Sequence, residues 1–504
     1  MSALFHLDRN APATLQQQVR EHLVSAILGG FLPHNQPLPS CRHLAKSLNV
    51  ARNTIVLVYD DLVSDGYLTS HERRGYFVNP HFVANRLASP TSEPSTPPAP
   101  HWERRLKLRP GQQPNASLSH DWQRYRYPFV YSQLDSSLFP VQHWRKCWRD
   151  AVSVQAIKDW GSDRYDSDDP LLIEQLQKRI LPSRGIQASA EEILITVGSQ
   201  QALYLLAQLL LDGQSCFGIE DPGYPSAAHI ARLFGARVQS LAVDEQGLVV
   251  NETLSSCDAI YLTPSHQCPT TVTLPLERRQ ALLELAEQHD FLLIEDDYEM
   301  EMNFDSHPTP ALKSLDNKGR VLYVGSLSKT LAPGLRMGFL VAPEPVIQEA
   351  RNLRQLMLRH PPLNNQRAVA LFLSLGYHDA LVRKLAQVFE QRARCLADAL
   401  QQHLPDCRVS SIGGSSCWLT LPENLDGTAL KRLAAEHNLL IISGDSYHIG
   451  NGLPANTLKL GFSAIPLERI EPGIRLLGEL KAKLDAGRNH GSRVRAGDRK
   501  KTGN

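Results

Sequence analysis

Lys329 stands in the run Ser326-Leu327-Ser328-Lys329, directly after the apolar stretch Val321-Leu322-Tyr323-Val324, and Arg336 follows it in Pro333-Gly334-Leu335-Arg336-Met337-Gly338. A lysine withdrawn from water holds its amine partly unprotonated, which makes it a nucleophile toward a carbonyl carbon. Neighbouring serine hydroxyls and a guanidinium can hold a phosphate. A second apolar stretch, Phe291-Leu292-Leu293-Ile294, runs into Glu295-Asp296-Asp297-Tyr298. An ionised aspartate there can keep a pyridine nitrogen protonated, and the tyrosine can hydrogen-bond a phenolic oxygen. Gly198-Ser199-Gln200 lies between a strand at Thr196 and a helix starting near Ala202, so its amides can meet a phosphate at a helix N-terminus. Tyr224, in Asp221-Pro222-Gly223-Tyr224-Pro225, offers a flat ring for stacking. Together these groups meet the demands of pyridoxal 5'-phosphate: an amine, an acid, a phenol, a stacking ring and an anion cup.

Each signal is weak alone. Ser-x-Ser-Lys arises by chance, paired acids usually sit on surfaces, and a buried tyrosine is usually core. Five such elements in a workable chain order make coincidence a poor account.

The elements that must position these groups alternate between β-type runs and amphipathic helical stretches from about Tyr125 to Leu484, which predicts an α/β fold with a mainly parallel sheet. Ile193-Leu194-Ile195-Thr196-Val197 and Ala259-Ile260-Tyr261-Leu262 are further strands. In each case the candidate residues follow the strand, where open α/β sheets place their ligands.

The first 80 residues are patterned differently. Leu15, Val19, Leu23 and Ile27 form one stripe on a helix that Gly29-Gly30 ends, and Ser40 caps a short helix through Leu44 to Leu48. Asn49-Val50 turns into a third helix whose Ile55, Val58, Tyr59 and Leu62 face the core, leaving Arg52, Asn53 and Thr54 exposed at its start. Such a helix start can meet base edges and phosphates. Tyr67-Leu68-Thr69 and Tyr76-Phe77-Val78 then flank a basic hairpin tip with Arg73 and Arg74, a wing for the minor groove or backbone. Singly, Arg42, Arg52, Arg73 or Arg74 reads as solvated surface; together in this pattern they read as DNA contacts.

The 504 residues exceed one ordinary core, and the net charge of +1 gives no global nucleic-acid signature. Eight scattered cysteines without zinc-ligand spacing suggest reduced thiols in a cytoplasmic protein. No stretch reaches the apolar length of a membrane span, and the N-terminus lacks export features. Ser89–Pro100, rich in Pro and Ser, reads as an extended linker. The expected organisation is a DNA-binding domain over 1–80, a linker over 81–124, a cofactor domain over 125–484 and a basic, disordered tail over 485–504.

PLPSCRHLAKSLNVARNTIVLVYDDLVSDGYL followed by RRGYFV is similar to the winged helix-turn-helix of the GntR family. The order TVGSQQAL, EDPGYP, TPSHQCPT, IEDDY, SLSKTLAPGLRMGF resembles fold-type I aminotransferases, and specifically the domain of MocR-type regulators of the GntR family. That resemblance implies that Lys329 links covalently to the cofactor, Asp296 pairs with the ring nitrogen, Tyr298 meets the phenolic oxygen, Tyr224 stacks and His266 lies near the ring. Ser326, Ser328 and Arg336 would hold the phosphate with Ser199 and Gln200. It also implies a head-to-tail homodimer and a smaller C-terminal α+β subdomain. Three departures stand out: Ala51 replaces the usual serine before Arg-Asn-Thr, Cys268 and Thr271 replace an aromatic and a glycine, and Lys459 occupies a segment where aminotransferases carry the arginine that grips a substrate carboxylate. A lysine lacks the planar two-pronged contact.

The expected function is transcription regulation through an operator in double-stranded DNA, with the cofactor or a small amino compound as effector. A working aminotransferase with an accessory domain is the alternative, and a DNA-binding repressor whose second domain no longer holds cofactor is a third reading.

Overall fold

The computed structural model describes residues 7–81, 101–112, 121–302, 309–450 and 456–498, with side chains described to residue 486. The chain divides into two compact units, Met1–Arg105 and Leu106–Asn504.

The first unit holds helices α1 (Leu15–Leu28), α2 (Cys41–Leu48) and α3 (Arg52–Ser64), then strands β1 (Leu68–His71) and β2 (Gly75–Val78). Val19, Leu23, Ile27, Leu44, Ile55, Val58, Tyr59 and Leu62 close one core, as their helical spacing requires. Ser40 caps α2 by accepting from the His43 amide at 3.3 Å. Ala51 occupies the corresponding position of α3, which has no side-chain cap. The wing is an antiparallel pair with Leu68 opposite Val78.

The second unit is built on an eight-stranded sheet. Its strands are β3 (Ile193–Thr196), β4 (Cys216–Asp221), β5 (Arg237–Asp244), β6 (Gly247–Leu248), β7 (Ala259–Leu262), β8 (Leu292–Asp297), β9 (Val321–Ser326) and β10 (Gly338–Val341). They lie in the order β3-β10-β9-β8-β7-β4-β5-β6. The central strands are parallel, while β10 runs against both its neighbours and β6 against β5. β8 and β9 are longer than their apolar runs, so Glu295, Asp296, Asp297 and Ser326 lie within the sheet.

A second, antiparallel sheet follows, of β11 (Arg408–Gly413), β12 (Ser416–Thr420), β13 (Ile442–Ser443) and β14 (Thr457–Gly461), ordered β11-β12-β14-β13. The 27-residue helix Tyr377–His403 and the last helix, Ile470–Asp498, accompany it. This is a fold-type I aminotransferase architecture with its smaller C-terminal α+β part.

Two segments differ from expectation. The region expected to be a disordered tail from 485 prolongs the last helix to Asp498. Ile470, Ile474, Leu477 and Leu480 bury that helix at regular spacing and so anchor the turns that follow. Within 81–124, Trp102–Arg105 forms a short helix and Pro110–Gln112 and Trp122–Arg124 form 3-10 turns, while Ser89–Pro100 lies outside the described residues. Among the described residues, no helix is long and apolar enough to cross a membrane, and none of the eight cysteines forms a disulfide.

Candidate functional site

Side chains of consecutive strand residues point to opposite faces, and this separates the two aspartates of β8. Asp296 accepts a 2.9 Å hydrogen bond from Tyr261, which stands on β7 opposite Ile294 and therefore on the same face. Asp297 turns the other way, to Arg184 at 2.8 Å and Tyr323 at 2.9 Å. Arg184 continues to Ser265 at 2.9 Å, so Asp297 anchors the loop that carries His266. Asp296 keeps one oxygen, Oδ1, with no partner. Burial pushes its carboxyl up to about 7.

Lys329 leaves the end of β9 and reaches Tyr131 at 3.4 Å and the Ser132 hydroxyl. Its amine lies over the Tyr131 ring at 4.9 Å and the Tyr298 ring at 6.0 Å. Withdrawal from water lowers its pKa below the ordinary lysine value; Lys459 pulls in the same direction, while Glu299 and Asp296 oppose it. The Tyr298 hydroxyl and His266 Nδ1 are buried and unpartnered. Burial also lowers the His266 pKa, which favours the neutral ring. Tyr224 donates to Gln200 Oε1 at 2.8 Å, and its ring lies 6.3 Å from that of Tyr261.

The candidate anion cup lies where the turn between β3 and the helix Ser199–Leu210 meets the β9–β10 connection. Gly198, at φ 76°, approaches Arg336 so closely that a Cβ there would stand 2.7 Å from a guanidinium nitrogen. Arg336 Nη2 donates to Val197 O at 3.2 Å. Ser326 accepts from the Ser328 amide at 3.3 Å, and among the described residues its hydroxyl has no acceptor. Ser328 is committed elsewhere: its hydroxyl donates to Met337 O at 3.1 Å and accepts from Met337 N at 3.0 Å. That exchange braces the loop holding Lys329.

Several site residues carry no sequence motif. Tyr131 and Ser132, Arg184, Tyr261 and Tyr447 come from four separate segments, and only a polar tip inside an apolar strand, as at Tyr261, gave a local signal. Lys459 on β14 is fully buried, and its amine has no hydrogen-bond partner. It lies 3.6 Å from the Tyr131 ring centroid and 5.2 Å from that of Tyr447.

In the first unit, Arg42 is exposed on α2, and Arg52 and Asn53 are exposed in the first turn of α3. Thr54 is half-buried, its amide bonded to Ala51 O at 3.1 Å. Arg73 takes a left-handed φ of 62° at the wing tip, and Arg74 lies over Phe77 at 5.7 Å. Tyr76 ties wing to helix by donating to Asp60 at 3.2 Å and packing on Tyr59 at 4.8 Å.

Residues 131–476 match the aminotransferase class I and II family, and residues 15–78 match the bacterial regulatory proteins of the gntR family. The HTH-type transcriptional regulator TauR of Rhodobacter capsulatus is 42% identical, covering 93% of this chain and 97% of that protein. The probable rhizopine catabolism regulatory protein MocR of Rhizobium meliloti is 31% identical over 84% of this chain and 82% of its own. Among solved structures, the α-aminoadipate aminotransferase LysN of Thermus thermophilus, complexed with N-(5'-phosphopyridoxyl)-L-leucine, aligns at a TM-score of 0.68 and 28% identity, covering 76% of this chain and 99% of that one. The aminotransferase class I and II fold implies dependence on pyridoxal 5'-phosphate. The chain thus belongs to the MocR-type transcription regulators of the GntR family, with a winged helix-turn-helix joined to an aminotransferase-like domain.

Proposed function

We propose that this regulator binds pyridoxal 5'-phosphate through Lys329 and that an amino compound recognised in the same site alters its binding to DNA. The carrying observation is that Asp296 Oδ1 and the Tyr298 hydroxyl are buried without partners near the Lys329 amine, and that His266 Nδ1 is also buried and unpartnered. Buried polar atoms are normally satisfied, and these donor and acceptor types fit the cofactor.

When bound, pyridoxal 5'-phosphate supplies an electrophilic aldehyde and an electron-accepting ring. Lys329 provides the amine that holds the aldehyde carbon. Asp296 keeps a proton on the ring nitrogen, and Tyr261 fixes the orientation of that carboxylate. Tyr298 orients the phenolic oxygen, and Tyr224 and His266 flank the ring. Ser326, Arg336 and the amides of Ser199 and Gln200 hold the phosphate; Ser328 supports the loop instead. Lys459 presents a buried positive charge to which an acidic group on the effector would give the missing partner.

DNA is read by Arg52, Asn53 and Thr54 on α3, with Arg42, Arg73 and Arg74 on the backbone or minor groove. A homodimer would bring two winged helices to two half-sites, in the cytoplasm. Coupling requires that the effector bind the two DNA-binding states unequally.

The test is reconstitution of the full chain with pyridoxal 5'-phosphate. An absorption band near the visible that disappears in Lys329→Ala, with DNA affinity changed by cofactor or by added amines, is the expected result. Absence of the band in the wild type refutes the cofactor reading. Steady turnover with a 2-oxo acid acceptor would favour the aminotransferase alternative.

A further inference from the structure

Helix α3 places apolar residues on two unlike faces. Ile55, Val58, Tyr59 and Leu62 are buried in the core of the winged helix. Leu57 lies outside that set and is 52% exposed. It follows Asn53 by four residues, so the two share one ridge of the helix. Val56 beside it is only half-buried, and Asp60, next along the surface, is engaged by the Tyr76 hydroxyl at 3.2 Å. The outward face of α3 therefore reads as Arg52 and Asn53 in its first turn, then Leu57, with the exposed acids Asp60 and Asp61 one turn further on.

A single exposed leucine is ordinary on most surfaces. This one is placed on the second helix of a helix-turn-helix, with the exposed cations Arg42, Arg52, Arg73 and Arg74 elsewhere on the same domain. Those cations favour a polyanion as the occupant of this face. Phosphates and sugars offer a leucine little, and the one apolar group that a base pair presents in the major groove is the thymine C5-methyl.

We infer that Leu57 is a specificity-determining residue that packs on a thymine methyl in the operator. Four residues of helix advance about 6 Å, and base pairs are spaced at about 3.4 Å. A reading helix lies at an angle in the major groove, so the thymine lies within about two base-pair steps of the base that Asn53 reads. The inference rests on the assignment of α3 as the reading helix, and the experiment separates the two.

The full chain selects duplexes from a random-sequence pool, and each thymine of the selected half-site is replaced in turn by uracil, which removes only the methyl. At one position the wild type should bind about fourfold more weakly, the equivalent of one methyl group at about 0.8 kcal/mol. Leu57→Ala should bind the thymine and uracil duplexes equally, with unchanged thermal unfolding and unchanged affinity for an unrelated duplex, because the side chain is exposed. If no uracil affects the wild type, or if Leu57→Ala suffers the same loss as the wild type, the inference is overturned. Should Arg52→Ala and Asn53→Ala also leave the selected sequence unchanged, the assignment of α3 falls with it; if they alter it, Leu57 alone is refuted.

Discussion

The Lys459 amine and the Tyr131 ring form the closest cation–ring contact of the cofactor domain's described residues, 3.6 Å from nitrogen to centroid. Lys329 reaches the same ring at 4.9 Å. Tyr131 thus touches the amine proposed to hold the cofactor and a second, fully buried amine that has no hydrogen-bond acceptor. A ring face offsets part of the cost of burying an ammonium, about 2 kcal/mol when desolvated, well short of a counter-ion.

Lys459→Met should therefore stabilise the effector-free chain by about 1 to 4 kcal/mol, by analogy with replacing buried ionic groups with apolar ones. Scanning calorimetry reads this as a higher unfolding midpoint. The same variant should lose its response to amines that carry an acidic group while keeping cofactor binding. A lower midpoint would mean that the amine has a partner in solution.

The Asp296 carboxyl gives a pH signature. Its folded-state pKa is raised to about 7 by burial, above the usual carboxylate value. The unfolded chain therefore releases this proton first as pH rises, and the folded state loses stability between about pH 4 and 7, by at most about 4 kcal/mol. Glu220 and Glu295, each also pushed to about 7 by burial, slope the same way. The informative quantity is the difference between wild type and Asp296→Asn in cofactor-free denaturant titrations. That difference should vanish at low pH and grow toward pH 7, and a flat difference would rule out a buried, titrating Asp296.

Much of this was legible in the sequence because the proposed cofactor contacts come in short segments that each follow a strand. Lys329, Asp296, Tyr298 and Gly198 sit at such ends, so strand order and turn chemistry bring them together. Asp296 and Asp297 could be told apart only once the pleat placed Tyr261 on one side and Arg184 on the other. Ser328 matched the phosphate-binding pattern, yet the Met337 backbone takes both its donor and its acceptor. Tyr131 and Tyr447 lie far from Lys459 in sequence, and neither segment has periodicity that points to a shared contact.

At the proposed anion cup, Gly198→Ala should weaken cofactor binding while the chain still folds. The added Cβ meets a guanidinium, whose flexible end can retreat, and not backbone. The φ of 76° and ψ of 169° at Gly198 lie in a region essentially confined to glycine, which adds a strain of about 1 to 3 kcal/mol. Arg336 would be displaced, so cofactor titration should show a loss of affinity of about tenfold or more, while circular dichroism stays unchanged. Equal affinity in variant and wild type would show that Arg336 does not hold the phosphate.

Helix α3 offers a gain-of-stability test. Its N-cap position is Ala51, with extended dihedrals of −64° and 143° and no side-chain hydrogen bond. Those dihedrals already suit a capping hydroxyl, as Ser40 demonstrates at the start of α2. Ala51→Ser should stabilise the first unit by about 1 kcal/mol, since the first-turn amides gain an acceptor and the backbone need not move. It should also add a hydroxyl beside Arg52 at the proposed DNA surface. If that surface is correct, affinity for DNA of any sequence should rise where a phosphate lies within reach, with an unchanged salt dependence because a hydroxyl carries no charge. Arg52→Ala supplies the opposite control, with a loss of about 1 to 3 kcal/mol confined to the preferred site. Stabilisation by Ala51→Ser together with unchanged DNA binding in both variants would keep the cap argument and move the DNA surface away from the start of α3.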